Sequence, residues 1–554
     1  MRLTIITLIL NLIFISASAQ IYKITYNRIN TEGRIDRDPI IVFANQKKSI
    51  ITRQSALSSN FVHVAEESIV DMDKKTIYRK SNFKSQKPIY TSDRLNAQGY
   101  VFDDKVETKD ILGYKAKKST TSVNSNGIEI WYTNELPIHA APNELGLVKG
   151  LVLEFRRNGN SGFTAIKIEK VKDFPSNYDF PVESDLLDEL TYRDIVWRSK
   201  FIQIPIFRNE KICFDPEHVK SDSILRFGEG TVILKKIKIP EVLNESQAFI
   251  ELIEKSNGDA YDRTGSVFMI SEDQKQSFLD GMKNGMQTLP KYDIGDGKDY
   301  LGMIRTNEFS PILELMRFFT PFGVKHFNNR LKLKDKVWQD SVTYRQDISE
   351  FIGNLSGKEV YIGTYIGNYD KGGHIVSLEL TIHPGNSNYG HKMKALSLFN
   401  TTNVMEMGGQ TYPTLFSDEK GLSFEFELDH DVKDAQLRYI TTGHGGWWNG
   451  DEFVPKTNSI LLDGVLKFSF VPWRVDCGSY RLYNPVSGNF ESGLSSSDLS
   501  RSNWCPGTIT YPNYIHIGDL KAGKHRIQVK IPQGPKEGDS QSFWNVSGAL
   551  LFAE

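Results

Sequence analysis

Apolar and polar residues alternate in short runs along most of the chain, and few stretches show the three-to-four spacing of an amphipathic helix. Early on, Ile21 to Tyr26, Ile40 to Phe43, Phe61 to Val64, Ile128 to Tyr132, Leu151 to Phe155 and Phe163 to Val171 are rich in β-branched and aromatic residues and separated by polar turns. That pattern predicts an antiparallel sheet. Strand-like runs return at Thr231 to Ile237, Ser266 to Ile270, Leu313 to Phe319, Val360 to Tyr365, His374 to Ile382, Leu422 to Leu428, Ala435 to Thr442, Leu466 to Phe470, Ile527 to Ile531 and Ser547 to Phe552. Helical signals are short: Glu183 to Leu190, Glu245 to Lys255 and Ser277 to Lys283. The expected fold is mainly β, with two consecutive antiparallel β-sandwich, jelly-roll-like lobes preceded by a separate antiparallel β domain.

With 554 residues the chain exceeds one ordinary core. Its expected divisions are 1–19, a signal peptide; 20–173, the N-terminal β domain; 174–220, an acidic, locally helical connecting segment; 221–390, the first lobe; and 391–554, the second. The first division rests on Met1-Arg2, an apolar run from Leu3 to Ile15 and Ala17-Ser18-Ala19, which predicts cleavage after Ala19 and a secreted or periplasmic protein. That run is about 13 residues, short of the roughly 20 that span a bilayer. No later run is apolar and long enough to span one, so no membrane span is expected. Lys and Arg are spread along a chain of net charge −1, which gives no footprint for nucleic acid. Of the three cysteines, Cys477 and Cys505 flank a Ser-, Asn- and Gly-rich loop, and a disulfide between them is expected in an exported chain. It would stabilise by an amount on the order of 3 kcal/mol. Cys213 remains as a buried thiol, with other pairings open.

Candidate chemistry gathers in three polar segments. Gly258-Asp259-Ala260-Tyr261-Asp262-Arg263 places a carboxylate beside a cation on a loop. A surface ion pair has the same spelling. Gly443-His444-Gly445-Gly446-Trp447-Trp448-Asn449-Gly450-Asp451-Glu452 is dense in glycine, which lets backbone approach a ligand closely. Adjacent Trp447 and Trp448 cannot share one face of a strand, so at least one faces a ligand or a loop. His444 reads as a loop hydrogen-bonder. The third segment is Arg501-Ser502-Asn503-Trp504-Cys505-Pro506-Gly507.

In order and spelling these segments resemble the bacterial peptide-N-glycosidase F family over roughly Ser221 to Glu554, most specifically at Arg501 to Gly507. The resemblance implies hydrolysis of the amide that links an N-glycan to asparagine, in N-glycosylated proteins or peptides, by a monomer without cofactor or metal. It makes Asp262 the carboxylate that activates water, Arg501 and Arg263 the groups that hold the carbonyl oxygen, and Glu452 the contact to the innermost sugar. Tyr261, His444, Trp447, Trp448, Asp451, Trp504 and Tyr365 would complete the substrate surface, and Cys477 stands where the family's disulfide partner of Cys505 lies. Tyr261 replaces a family tryptophan. On the strand after Leu355-Ser356-Gly357, Tyr365 and Gly367 stand where the family has a further Glu and a Trp, implying a more open cleft that tolerates core substituents such as fucose. Earlier, Gly146-Leu147-Val148-Lys149-Gly150-Leu151-Val152 resembles the small secreted β-domains named for a Gly-Leu-Pro-Gly-Leu-Ile signature, which implies a fold and no chemistry.

A non-catalytic carbohydrate-binding protein would use the same tryptophans and glycines. A copper monooxygenase shares paired β-sandwiches but needs clustered histidines. The eleven histidines here, His374, His383, His391, His430, His444 and His516 among them, form no His-x-His pair.

Overall fold

The computed structural model describes residues 20–553 apart from 62–63, 85, 218–222, 323–330, 386–392, 420, 446–448 and 486–495. The signal peptide expected at 1–19 and its cleavage site lie outside the described residues. So do Trp447, Trp448 and His391. The fold is mainly β, as the alternation predicts, and the chain divides into two compact units between Lys200 and Phe201.

The first unit holds one antiparallel sheet of eleven strands: β1 Ile21–Ile29, β2 Ile40–Ala44, β3 Lys48–Arg53, β4 Val64–Asp71, β5 Thr76–Phe83, β6 Ile89–Arg94, β7 Asp103–Ile111, β8 Tyr114–Val123, β9 Asn126–Thr133, β10 Leu151–Arg157 and β11 Ser161–Val171. Their order is β6-β5-β4-β3-β2-β1-β11-β10-β9-β8-β7, with the first and last strands paired in the middle. Alternation sends Tyr22, Ile24 and Tyr26 to one face, where they pack with Val42, Ile130 and Leu153. Ile41, Phe43, Ile50 and Ile69 face the other way, against Phe174, Tyr178 and Leu186. The segment expected to connect domains, 174–220, is thus divided. Residues 174–200 pack on the first sheet, where buried Tyr178 and Lys80 sit over an equally buried Glu67, and Ile202–Ile212 is a strand of the second unit.

The second unit is two stacked sandwiches. The sheets of the first are Ile202–Ile212, His374–His383, Gln247–Ser256, Val342–Asp347, and Leu225–Phe227, Val232–Lys238, Glu359–Ile366, Thr264–Met269, Leu313–Phe319, Ile509–Thr510. Its last strand therefore comes from the C-terminal part of the chain. Those of the second are Met393–Asn400, Phe543–Ala553, Val432–His444, Asn513–Leu520, and Leu422–Leu428, Gly523–Lys530, Asn458–Leu462, Val465–Phe470. Each sandwich encloses its own apolar core. Two helix readings fail: Glu183 to Leu190 holds only the short turn Glu183–Asp185 before a helix begins at Glu189–Arg198, and Glu245 to Lys255 is a strand, Gln247–Ser256, and not a helix. Its residues alternate between buried and partly exposed, the period of two that a half-buried strand requires. The helix expected at Ser277 to Lys283 does form, as Phe278–Asn284, with Ser277 and Asp280 closing a capping box.

The two sandwiches are pinned by a buried ion pair. Glu314 and Arg317 are three apart on one strand, which would aim them at opposite faces of a regular sheet. A register shift against Val267 and Phe268 inserts one extra residue and turns them to the same side. The guanidinium donates to Glu314 Oε2 at 2.7 Å and Oε1 at 3.1 Å, and reaches into the second sandwich, to the Asn545 carbonyl at 2.6 Å and the hydroxyls of Thr402 at 2.8 Å and Thr442 at 3.2 Å. Burial alone would raise the Glu314 pKa, but Arg317 and the hydroxyls of Ser547 and Ser266 hold it below the usual range. Replacing Arg317 by Met strands a buried carboxylate and should cost about 3–5 kcal/mol in urea unfolding, and adding Glu314→Gln should restore part of that loss. Opening the Cys477–Cys505 bond, present in the structure, as a double serine variant should cost on the order of 3 kcal/mol in the same measurement.

Candidate active site

Asp262 sits where the strand Gln247–Ser256 ends and the chain crosses to the opposite sheet to begin Thr264–Met269. The crossing is fixed from below. Arg263 donates to Asp259 through Nε at 2.6 Å and Nη2 at 3.0 Å, and Asp259 Oδ2 also lies 3.4 Å from His374 Nε2. The other ring nitrogen of His374 meets Glu254 at 2.7 Å. Burial alone disfavours the imidazolium, but Asp259 and Glu254 reverse that and raise the His374 pKa to about 9. Burial would likewise raise Asp259, yet His374 and Arg263 pull it down to about 2. The result is a buried row of alternating charges, Glu254, His374, Asp259, Arg263, under the candidate site.

Glu452 arrives from the second sandwich. Its loop follows the strand Val432–His444, and Gly445 is its tightest point. That residue has φ +75°, and a Cβ on it would stand 1.8 Å from the Gln541 carbonyl oxygen. Asp451 is fully buried, its carboxylate accepting from Trp544 Nε1 at 2.8 Å and from the Gly534 amide at 2.9 Å. It anchors the loop and does not line the cleft.

Arg501 brings the two sandwiches' acids together. Its Nη1 donates to Asp262 Oδ2 at 3.3 Å and to Glu452 Oε1, and its Nη2 to the Ser496 carbonyl at 2.9 Å. The side chain is 1 % exposed, and its guanidinium carbon lies 4.4 Å from the Trp504 ring centre and 5.1 Å from that of Phe453. Buried Trp504 is held by its Nε1 bond to the Gly443 carbonyl at 3.0 Å and by stacking on Phe319. The Cys477–Cys505 bond ties the next residue down. Burial pushes the Asp262 carboxyl up to about 7, against the pull of Arg501 and with Glu452 adding to the rise. Burial raises Glu452 as well, with Arg501 opposing.

Above these groups is a cleft of ≈ 250 Å³ lined by Asp262, Arg263, Glu452, His444, Trp504 and Tyr365 from the sequence reading, and by Tyr369, Asn403, Glu406, Tyr412, Phe543 and Asn545, which that reading missed. His444 is buried, stacked on Phe543, with Nε2 2.8 Å from the Thr442 hydroxyl. Burial, with Arg317 and Arg501 near, holds its pKa well below the usual value, so it is a neutral aromatic wall and not an acid or base. Tyr261 is 40 % exposed beside Arg263 and outside the cleft lining. Tyr365 is buried, its hydroxyl 2.5 Å from where a Cβ on Gly367 would stand, so the glycine leaves room for the tyrosine. An acid does occupy this end of the cleft. Glu406 accepts from the Tyr369 hydroxyl at 2.5 Å, and that hydroxyl lies 3.2 Å from that of Tyr412. Glu406 follows a polar run, Asn400 to Asn403, that carries no periodic or motif signal. Among the described residues no group of three or more His, Cys, Asp or Glu is arranged to hold a metal ion.

Comparison with known proteins identifies the scaffold. The family models "Peptide-N-glycosidase F, N terminal" and "Peptide-N-glycosidase F, C terminal" match residues 203–382 and 411–551, and "N-glycanase peptide, N-terminal domain" matches 24–194. Two solved structures of PNGF-II, in different space groups, are 51 % identical in sequence, with TM-scores of 0.79 and 0.82. Each covers 97 % of this chain, which in turn covers 98 % and 100 % of them. The chain belongs to the peptide-N-glycosidase F family. A further structure, PNGase F, described as a glycosylasparaginase from Flavobacterium meningosepticum, is 16 % identical over 64 % of this chain and 96 % of its own, with a TM-score of 0.40. No curated protein matches. The matched segments of this peptide-N-glycosidase F family member take in most strands of both sandwiches and of the extra N-terminal β domain, while Met393–Asn400 of the second sandwich lies between two of them. Among the described residues no helix is long and apolar enough to cross a membrane.

The charge row under the site makes stability depend on pH. The pKa of His374 is higher in the folded than in the unfolded protein, so its contribution is complete below about pH 6.5 and is lost as pH rises through about 9, on the order of 3 kcal/mol. The stability gap between the wild type and His374→Gln, read by urea unfolding, should narrow over that window.

Proposed function

We propose that the chain hydrolyses the β-aspartylglucosamine amide of N-glycosylated proteins or peptides, converting asparagine to aspartate and releasing the whole glycan as a glycosylamine. The observation that carries this reading is Arg501, which holds Asp262 and Glu452 together in one aromatic-lined cleft. An amide needs a base for the attacking water, a cation for the developing oxyanion and a donor for the departing nitrogen. Asp262 and Glu452 line the cleft, and buried Arg501 is bonded to both. Asp262, ionised, takes a proton from a water as its oxygen attacks the amide carbonyl. Arg501, already desolvated, stabilises the negative oxygen without reorganising. Glu452 binds the innermost sugar and steadies the departing nitrogen, which takes up the proton that Asp262 removed from the water as the C–N bond breaks. Arg263 is tied to Asp259 by one edge, through Nε and Nη2, and its part is to fix the Asp262 backbone and add positive potential to the cleft it lines.

Glu406, with Tyr369 and Tyr412, acts as the third acid of the cleft and replaces the carboxylate that Tyr365 displaces. The surrounding rings of Phe543 and Tyr412 offer faces for a sugar. No step calls for a metal. An N-terminal export segment at 1–19 fits an oxidised Cys477–Cys505 pair, since such bonds persist outside the cytosol.

Mass spectrometry of a defined N-glycopeptide tests the reading. The wild type should release intact glycan and leave aspartate, with a chelator making no difference. Asp262→Asn should lose roughly a thousandfold in kcat/KM, and Arg501→Lys about a hundredfold or more. Unchanged glycopeptide that the wild type nonetheless binds would sink the amidase and favour the carbohydrate-binding alternative. Because the base must be ionised and its pKa is about 7, wild-type kcat/KM should rise with pH through about 7 and level off above it.

A further inference from the structure

One side chain in the cleft has no structural occupation. Asn403 is 3 % exposed and lines the cleft, yet among the described residues neither Oδ1 nor Nδ2 of its amide has a hydrogen-bond partner. A buried amide with both groups unmatched destabilises the free protein, and native structures rarely keep one without use. The backbone around it is secured by other means. Thr401 donates through its amide to the Val546 carbonyl at 2.8 Å, Thr402 Oγ1 accepts from Arg317 at 2.8 Å, and the Asn403 carbonyl accepts from the Glu406 amide at 3.2 Å. The side chain is therefore not needed to hold its own loop. Beside it in the lining, Asn545, also 3 % exposed, leaves its Oδ1 unpartnered while its carbonyl is fixed by Arg317.

A ligand that satisfies Asn403 must offer one acceptor and one donor close together, the pattern of another amide. Three amides of an N-glycopeptide come near such a cleft. The scissile one is taken by Asp262, Arg501 and Glu452, and a cleft this small leaves the peptide backbone outside. The remaining amide is the 2-acetamido group of the innermost sugar. Its methyl needs an apolar wall, which Phe543, Tyr412 and the neutral His444 provide in the same cavity. We infer that Asn403 is a specificity-determining residue that reads the acetamido group of the innermost N-acetylhexosamine, with Asn545 beside it as a further acceptor; this inference rests on the amidase reading above.

The test compares two glycopeptides of the same sequence, one with N-acetylglucosamine on asparagine and one with glucose. A site built to bond a polar group discriminates strongly against the analogue that lacks it. The wild type should favour the acetamido substrate, and in Asn403→Ala and Asn403→Asp the ratio of the two kcat/KM values should fall more than about tenfold. Thermal melting supplies the second readout. Asn403→Ala removes an unsatisfied group, so its Tm should equal or exceed that of the wild type, whereas a structural amide would lower it. A ratio that does not move in either variant, whatever the absolute rates, overturns the inference. If the wild type cleaves neither glycopeptide, calorimetry with free N-acetylglucosamine and glucose decides. Binding of the acetamido sugar that depends on Asn403 keeps the inference, and no such dependence overturns it, while the amidase reading stands or falls by the intact N-glycopeptide.

Discussion

One buried guanidinium must be shared by two carboxylates from different sandwiches, and the arrangement of the cleft depends on that sharing. Arg501 is 1 % exposed and its Nη1 is the common donor to Asp262 and Glu452. Two acids cannot both stay ionised at close range in a desolvated site without a cation between them. The cation in turn could not remain buried without them, since an unpaired charge in the interior costs several kcal/mol or more. The rings of Trp504 and Phe453 lie close enough to the guanidinium to add cation–π attraction.

That sharing requires the sandwiches to be fixed against each other within a fraction of an ångström, and two further buried charge networks do this. Glu314 and Arg317 bond across the junction to Asn545, Thr402 and Thr442, and Arg438 reaches back from the second sandwich to Glu350 and the Glu314 and Leu315 carbonyls. Under Asp262 the row from Glu254 to Arg263 sets the crossing loop. Ionic networks of this kind contribute modestly to net stability compared with apolar packing. Their effect is geometric, because each hydrogen bond admits only one separation and direction.

Membership of the peptide-N-glycosidase F family underlies the amide-cleaving reading proposed for this cleft, which Asp262, Arg263, Glu452, His444, Trp504 and Tyr365 line while Tyr261 and Asp451 do not. The departure at Tyr365 and Gly367 need not remove an acid from the cleft. Glu406 enters from another part of the chain and lines the same cavity, bonded to Tyr369, whose hydroxyl in turn meets that of Tyr412.

The alternation of apolar residues was enough to name the class of fold, because a half-buried strand writes its period directly into the sequence. Leu313 to Phe319 and Leu422 to Leu428 could be read to the residue. Glu245 to Lys255 misled because its charged positions, Glu251, Glu254 and Lys255, suit a helix, and only the pairing with His374–His383 makes it a strand. Polar strands such as Asp103–Ile111, exposed along most of their length, left no apolar trace to read. Motif spelling likewise singled out Asp262, Glu452 and Arg501, since loop acids, glycines and an Arg beside a Trp-Cys-Pro-Gly turn survive as local patterns. What spelling could not show is that these three, separated by 239 and 49 residues, meet at one guanidinium. Nor could it show that Asp451 turns inward to anchor a loop, or that Glu406 and Asn403 face the cleft. A cleft between two sandwiches is assembled from contacts distant in the chain, and burial and direction at each position are properties of the packed structure alone.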